Sequence, residues 1–243
     1  MRKGDEIYFA QGFTFSQLLE TTDPTEIING YKDRILDFYL EPAKYLIEDK
    51  DEFTAFAAGM LCFAAIDAIS RTEFGIKDSG PRVKRWLSEN IPGFKNLDEW
   101  ELRRVYDEFR CGLMHEARIK YGGQFTYEIK KIIEIRNEVI TINPELLLYK
   151  IEDSLNNLIK KWTADPISAK KFSDLIMDDF TVEIQFMEDK LKCRNPDCME
   201  GQDQSTDENC IYCKGTGIDQ NRTYEKEVEK ADDAAYFSAE EDK

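Results

Sequence analysis

The chain has 243 residues, 42% of them hydrophobic and 12% aromatic, and a formal net charge of −16. That apolar share supplies a core and excludes an intrinsically disordered protein, while the length suits one sizeable domain with a small appendage. The charge disfavours general polyanion binding, but it is uneven: residues 178–243 hold 19 acids and 8 bases, whereas 103–136 hold eight bases against five acids.

Along the chain, no apolar run follows Arg2 and Lys3, so no secretory signal is read there. Asp23 and Pro24 predict a helix start, Asp as N-cap and Pro in the first turn. Ile28, Tyr31, Ile35, Phe38 and Leu46 continue it at roughly helical spacing to about Lys50, with a kink or break expected at Pro42. Phe53 to about Thr72 is apolar on nearly every face, which predicts a central, buried helix. Its apolar stretch, Ala55 to Ile69 with Asp67 inside it, is shorter than the ~18–20 residues that span a bilayer. The expectation is a soluble, cytoplasmic protein with no membrane anchor.

A short basic helix is predicted over Arg82–Asn90, ended by Pro92 and Gly93, and another from Leu97 to about Phe109 with Leu102, Val105, Tyr106 and Phe109 on one stripe. After Gly122 and Gly123 the period changes to two. Phe125, Tyr127 and Ile129 alternate with polar residues, and two apolar runs flank Arg136, Asn137 and Glu138, predicting a small antiparallel insert with a hairpin at about 124–142. Asn143 with Pro144 starts a helix carrying Leu148, Ile151, Leu155, Leu158 and Trp162 on one face. Asp165 with Pro166 starts the last, running to about Lys190. The fold class is mainly α. The expected organisation is a helical domain over 1–190, a four-cysteine module over 191–220 and an acidic tail over 221–243.

Four of the six cysteines form the pattern Cys193-x4-Cys198-x11-Cys210-x2-Cys213. Two close pairs joined by a short loop suit a tetrahedral, all-cysteine zinc site, a zinc knuckle or ribbon. With four thiolates the ion would have no open position, so the zinc would be structural. The alternative is two disulfides, or a redox pair at Cys210 and Cys213. The run from Cys210 through Gly215 to Gly217 resembles the Cys-x-x-Cys-x-Gly-x-Gly element of DnaJ-type zinc domains, in a single copy. Acids around the module (Asp197, Glu200, Asp203, Asp207, Glu208) point to a protein partner there rather than nucleic acid. Cys62 and Cys111 stand alone at core-like positions.

His115 is the sole histidine, so no intrachain histidine pair can bind a metal. Arg110 lies five positions earlier. In a regular helix those two side chains would diverge by about 140°, and a distortion near Gly112 or a partner chain would be needed to join them. The run Phe109, Arg110, then three residues on to Met114, His115 and Glu116, placed after a long apolar helix, resembles the Arg-x4–6-His motif of the HEPN superfamily of helical-bundle proteins. The resemblance covers roughly residues 24–163. It implies a HEPN-like bundle and a metal-independent ribonuclease of toxin–antitoxin or antiviral-defence type, or an inactive relative, acting on RNA as a homodimer with facing motifs. It assigns Arg110 to the phosphate and His115 to proton transfer; Asp67 is a candidate to orient one of them. Cys111 departs from the polar residue that often follows the arginine. Two other readings stay open: a surface arginine beside a helix-end histidine, and a non-enzymatic scaffold that docks a partner through its zinc module and acidic tail.

Overall fold

The computed structural model describes residues 2–3, 6–48 and 50–185, and three short backbone segments at 198–199, 202–203 and 208–209. The chain is mainly helical, as its patterning predicts. It forms two compact units. One comprises 9–13 and 20–178; the other comprises the described parts of 1–8, 14–19 and 179–243.

At the start of the chain, β1 (Arg2–Lys3) pairs antiparallel with β2 (Glu6–Ala10), in the register Arg2 to Ile7. These N-terminal strands were not foreseen from the sequence. After the short strand β3 (Phe13–Thr14) comes α1 (Phe15–Glu20), whose Phe15 ring meets Phe180 at 6.0 Å.

The larger unit begins with α2 (Pro24–Ile35), capped by Asp23, whose carboxylate accepts from the Thr25 amide. The chain does not break at Pro42. A π-helical turn, Leu36–Leu40, leads directly into α3 (Glu41–Glu48), and the Glu41 amide donates to Leu36 five residues back. Proline has no amide to continue the four-residue ladder, and the wider turn just before it absorbs that gap.

The longest helix, α4 (Glu52–Phe74), packs against α3, α5 (Ser79–Asn90) and α8 (Pro144–Thr163). By length and composition alone it could cross a membrane, yet half of its most apolar window is buried inside the protein. The all-round burial expected of it is not found. Ala55, Ala58, Cys62, Phe63, Ile66 and Ile69 are buried, whereas Phe53 is 89% exposed and Phe56, Ala57, Met60, Ala64 and Ala68 are partly exposed. A sequence that is apolar on every face does not tell a core from a face that could be buried against another chain.

Two further helical pieces carry the residues of interest. Asp98 caps α6 (Glu99–Val105) through a reciprocal box with Glu101, whose amide donates to the Asp98 carboxylate at 2.8 Å. The helix then widens into a second π-helical turn, Tyr106–Cys111, before a single α-turn, α7 (Gly112–Glu116), stopped by Ala117 in the left-handed region.

The β insert is mixed rather than antiparallel throughout. Strands β5 (Ile133–Arg136) and β6 (Val139–Ile142) form the expected hairpin, turning through Asn137 and Glu138 at positive φ. However, β4 (Gln124–Phe125) lies parallel to β6, and the alternating run beyond it is not a strand. The Asn143 side-chain amide donates to the carbonyls of Tyr127 and Ile129, which replaces ladder partners for that stretch. Asn143 also caps α8, accepting from the amides of Glu145 and Leu146. Phe125 reaches down to meet Phe63 at a tilt and Phe109 edge to face, and it does so over Gly59, where a Cβ would stand 2.3 Å from the ring. The next helix, α9 (Pro166–Asp179), ends at a turn near Phe180, and 181–185 are helical again.

Candidate active site

The π turn is what positions the site. An α-helix brings residues three and four apart onto one face, whereas i→i+5 hydrogen bonding widens the turn and brings together residues five apart. The Gly112 amide donates to Asp107, five residues back, and closes the wide turn immediately before α7. As a result Arg110 Nη1 lies 3.2 Å from His115 Nε2. The distortion that the spacing requires thus lies within one chain. Gly112 is needed beside it for a second reason: after Ala117 the chain doubles back, and a Cβ on Gly112 would stand 2.4 Å from the Arg118 carbonyl oxygen.

The guanidinium of Arg110 is tied down on its other edge. Its Nη2 donates to Asp67 Oδ2 at 3.1 Å, and the Asp67 Oδ1 accepts from Arg82 Nη2 at 2.9 Å. Arg82 is itself buried and also donates to the carbonyls of Ile76 and Lys77. One carboxylate from α4 therefore bridges two arginines, one from α5 and one from the π turn. Such an arrangement holds Arg110 in a single orientation through charge-assisted bonds. The Arg110 side chain is 14% exposed and Asp67 25%, while His115 lies at the surface. Burial works to lower the Arg110 pKa, but the Asp67 carboxylate, helped by Tyr106 and Cys111, outweighs it and raises the value above normal. The guanidinium stays charged.

Hydrogen-bond chemistry also settles the tautomer this contact needs. A guanidinium has donors and no acceptor, so His115 Nε2 must accept, which leaves the imidazole proton on Nδ1. Beneath the pair, the Arg110 guanidinium lies 5.8 Å from the centre of the Tyr106 ring. Burial first of all, and the neighbouring Cys111, raise the pKa of the Tyr106 hydroxyl, against the lowering effect of its bond to Ser79. The Arg110 Nε is buried without a partner among the described residues.

The candidate residues Asp67, Arg110 and His115 thus come together from positions far apart in sequence. Arg82 and Tyr106 were missed as parts of the site. The signal for Arg82 was present: a lone arginine on the apolar face of a short helix, with an aspartate on an otherwise apolar helix nearby in the fold. The basic stretch 103–136 is largely neutralised where it stands. Arg103 faces Asp107, Arg104 faces Glu108, Arg118 and Lys120 share Glu116, and Arg136 faces Glu134. Among the described residues, Arg110 is the cation that contacts His115.

Among the described residues no cluster of three or more histidine, cysteine, aspartate or glutamate side chains could hold a metal ion. The proposed zinc ligands Cys193, Cys210 and Cys213, and the side chain of Cys198, lie outside the described residues. Of the other two cysteines, Cys62 is fully buried, which pushes its thiol pKa up, and Cys111 is half-buried; both are free. No protein-family model, curated protein or solved structure matches the chain.

Proposed function

We propose that this chain is a HEPN-like, metal-independent endoribonuclease whose active unit is a homodimer. The observation that carries the reading is the contact of Arg110 with His115, held from behind by Asp67. In RNA cleavage by the neighbouring 2′-hydroxyl, that oxygen attacks phosphorus, its proton goes to a base, and the departing 5′-oxygen takes a proton from an acid. The products are a 2′,3′-cyclic phosphate and a 5′-hydroxyl. Histidine can serve as either base or acid, and a guanidinium can bind the charged phosphoryl oxygens in two-pronged fashion. A phosphate taking the exposed Nη1 of Arg110 would also free the His115 Nε2 lone pair for the proton.

One chain supplies one histidine, and a two-fold related copy supplies the second. The dimer is supported by the partly exposed face of α4. Phe53, Ala57, Met60 and Ala64 recur at three- and four-residue steps toward Asp67, and the 38%-exposed Met114 lies beside His115 in sequence. Met60→Asp is expected to give a monomer by light scattering and to abolish cleavage.

The direct test incubates RNA with the protein in EDTA beside His115→Ala. Cleavage by the native protein alone, with cyclic-phosphate ends, supports the reading. Equal cleavage by both, or none by either across varied RNAs, overturns it in favour of a scaffold role. The structural zinc at Cys193, Cys198, Cys210 and Cys213 is a separate proposal that rests on ligand type and spacing. It predicts about one zinc per chain by metal analysis, and two disulfides without metal would refute it.

A further inference from the structure

Beside the Arg110–His115 pair a groove of about 530 Å³ opens between the start of α5 and α6. Its walls include two aromatic rings, Trp100 and Tyr106, and two oppositely charged couples, Lys84 with Glu99 and Arg103 with Asp107. Trp100 is 61% exposed, although it is a tryptophan on an ordered helix. An indole left in water needs a reason, and its support supplies one. The Arg104 guanidinium lies over the ring at 5.0 Å from its centre, and Arg104 is fixed in turn by Glu108 at 2.6 Å and by the Glu138 carbonyl at 2.7 Å. The indole therefore rests on an anchored cation rather than on a mobile side chain.

We infer that this groove takes a nucleobase of single-stranded RNA next to the phosphate held by Arg110; the inference rests on the ribonuclease reading above and extends it to the substrate class. Three features favour a base over a phosphate. The cations lining the groove are already paired with carboxylates, so it has little surplus charge to attract an anion. Two aromatic rings line it, one of them the exposed Trp100, and an exposed ring suits the flat face of any base. The carboxylates at its rim accept hydrogen bonds, and bases present amino and imino donors at their edges. Position adds the fourth point, because Tyr106 belongs to both places. Its ring lines the groove, and the Arg110 guanidinium lies 5.8 Å from its centre. A base in the groove and its phosphate at Arg110 are then neighbours, as successive parts of one strand must be. In a duplex the bases are stacked inward and cannot enter, so the groove selects unpaired RNA.

Binding tests this without relying on cleavage. The other two tryptophans, Trp86 and Trp162, are buried, so quenching of fluorescence by RNA reports on Trp100. The His115→Ala protein, which leaves RNA intact, is titrated with a single-stranded octanucleotide, the same sequence as a duplex, and adenosine monophosphate. The octamer is expected to quench Trp100, and, with binding of both proteins measured by calorimetry, Trp100→Leu is expected to weaken it by roughly 5- to 150-fold, the worth of one base–aromatic stack. Equal binding by Trp100→Leu, equal binding of the duplex, or a mononucleotide that binds as tightly as the octamer overturns the inference. Circular dichroism of Trp100→Leu checks that the variant is folded, so that weakened binding is not laid to unfolding. Cleavage that depends on His115 but is indifferent to Trp100 leaves the ribonuclease reading standing and removes only the groove. Quenching without cleavage does the reverse.

Discussion

Two carboxylates, Glu108 and Asp67, both meet arginines in this unit, and they are held differently. Glu108 lies on the π turn, is wholly buried, and closes on Arg104 one helical step away. Asp67 comes from another helix, is 25% exposed, and is divided between Arg82 and Arg110. The first pair spends its charge internally and props Trp100. The second leaves one edge of Arg110 facing an exposed histidine. Similar ingredients thus make a clamp in one place and a candidate reaction centre in the other, and what separates them is access.

That contrast can be broken most directly at His115. His115→Ala is expected to lower single-turnover RNA cleavage by roughly 10²- to 10⁴-fold, the usual worth of a general acid or base, with no change in urea stability because the side chain is at the surface. On the clamp side the effect should move to stability. Glu108→Ala strands a charge on the mostly buried Arg104 and is expected to cost about 3–5 kcal/mol in urea denaturation, while cleavage per folded molecule falls little. A cleavage loss as large as that at His115 would erase the distinction between the two sites.

Asp67→Asn should show both effects at smaller size. It is expected to cost about 1–3 kcal/mol of stability through weakened bonds to two arginines, and to reduce cleavage with little change in KM, since Arg110 loses its anchor but keeps its charge. Gly112→Ala tests the backbone between them. A Cβ there meets the Arg118 carbonyl oxygen, and a loss of about 1–3 kcal/mol is expected with His115 displaced, visible as a moved imidazole resonance.

The smallest expected effect is a pH slope. Burial above all, against the lowering influence of Arg104, raises the Glu108 pKa over its ordinary value. The folded protein therefore binds that proton more tightly than the unfolded chain does. The stability so gained is full below the ordinary glutamate value of about 4.3 and is lost as the pH rises through the raised one. Glu108→Gln should flatten this part of the urea midpoint against pH. An unchanged slope would locate the titration elsewhere.

Much of the helical frame was legible before any coordinates, because capping is local chemistry: Asp23, Asn143 and the prolines after them mark helix starts that the structure also has. The apolar stripe of α8 was legible for the same reason, since Leu148, Ile151, Leu155, Leu158 and Trp162 are all buried. What the sequence hid were matters of non-local pairing. The parallel partner of β4, the bridge from Asp67 to Arg82 and the exposure along α4 each depend on a segment many residues away. The site was half visible. Arg110 and His115 could be singled out by residue type and spacing, but a π turn has no composition of its own, and without it that spacing points the two side chains apart.

A π turn is an α-helix with one residue too many. In an unbroken α-helix the side chain over Arg110 would belong to the fourth residue onward, Met114; the extra residue passes that place to His115. Removing Cys111, the last residue of the turn, should restore the regular ladder, and a chain shortened in that way would join the same two groups with only three residues between them. Spacing and helix type are therefore exchangeable here, and the quantity that stays constant under such a deletion is the 3.2 Å contact rather than the number of residues in between.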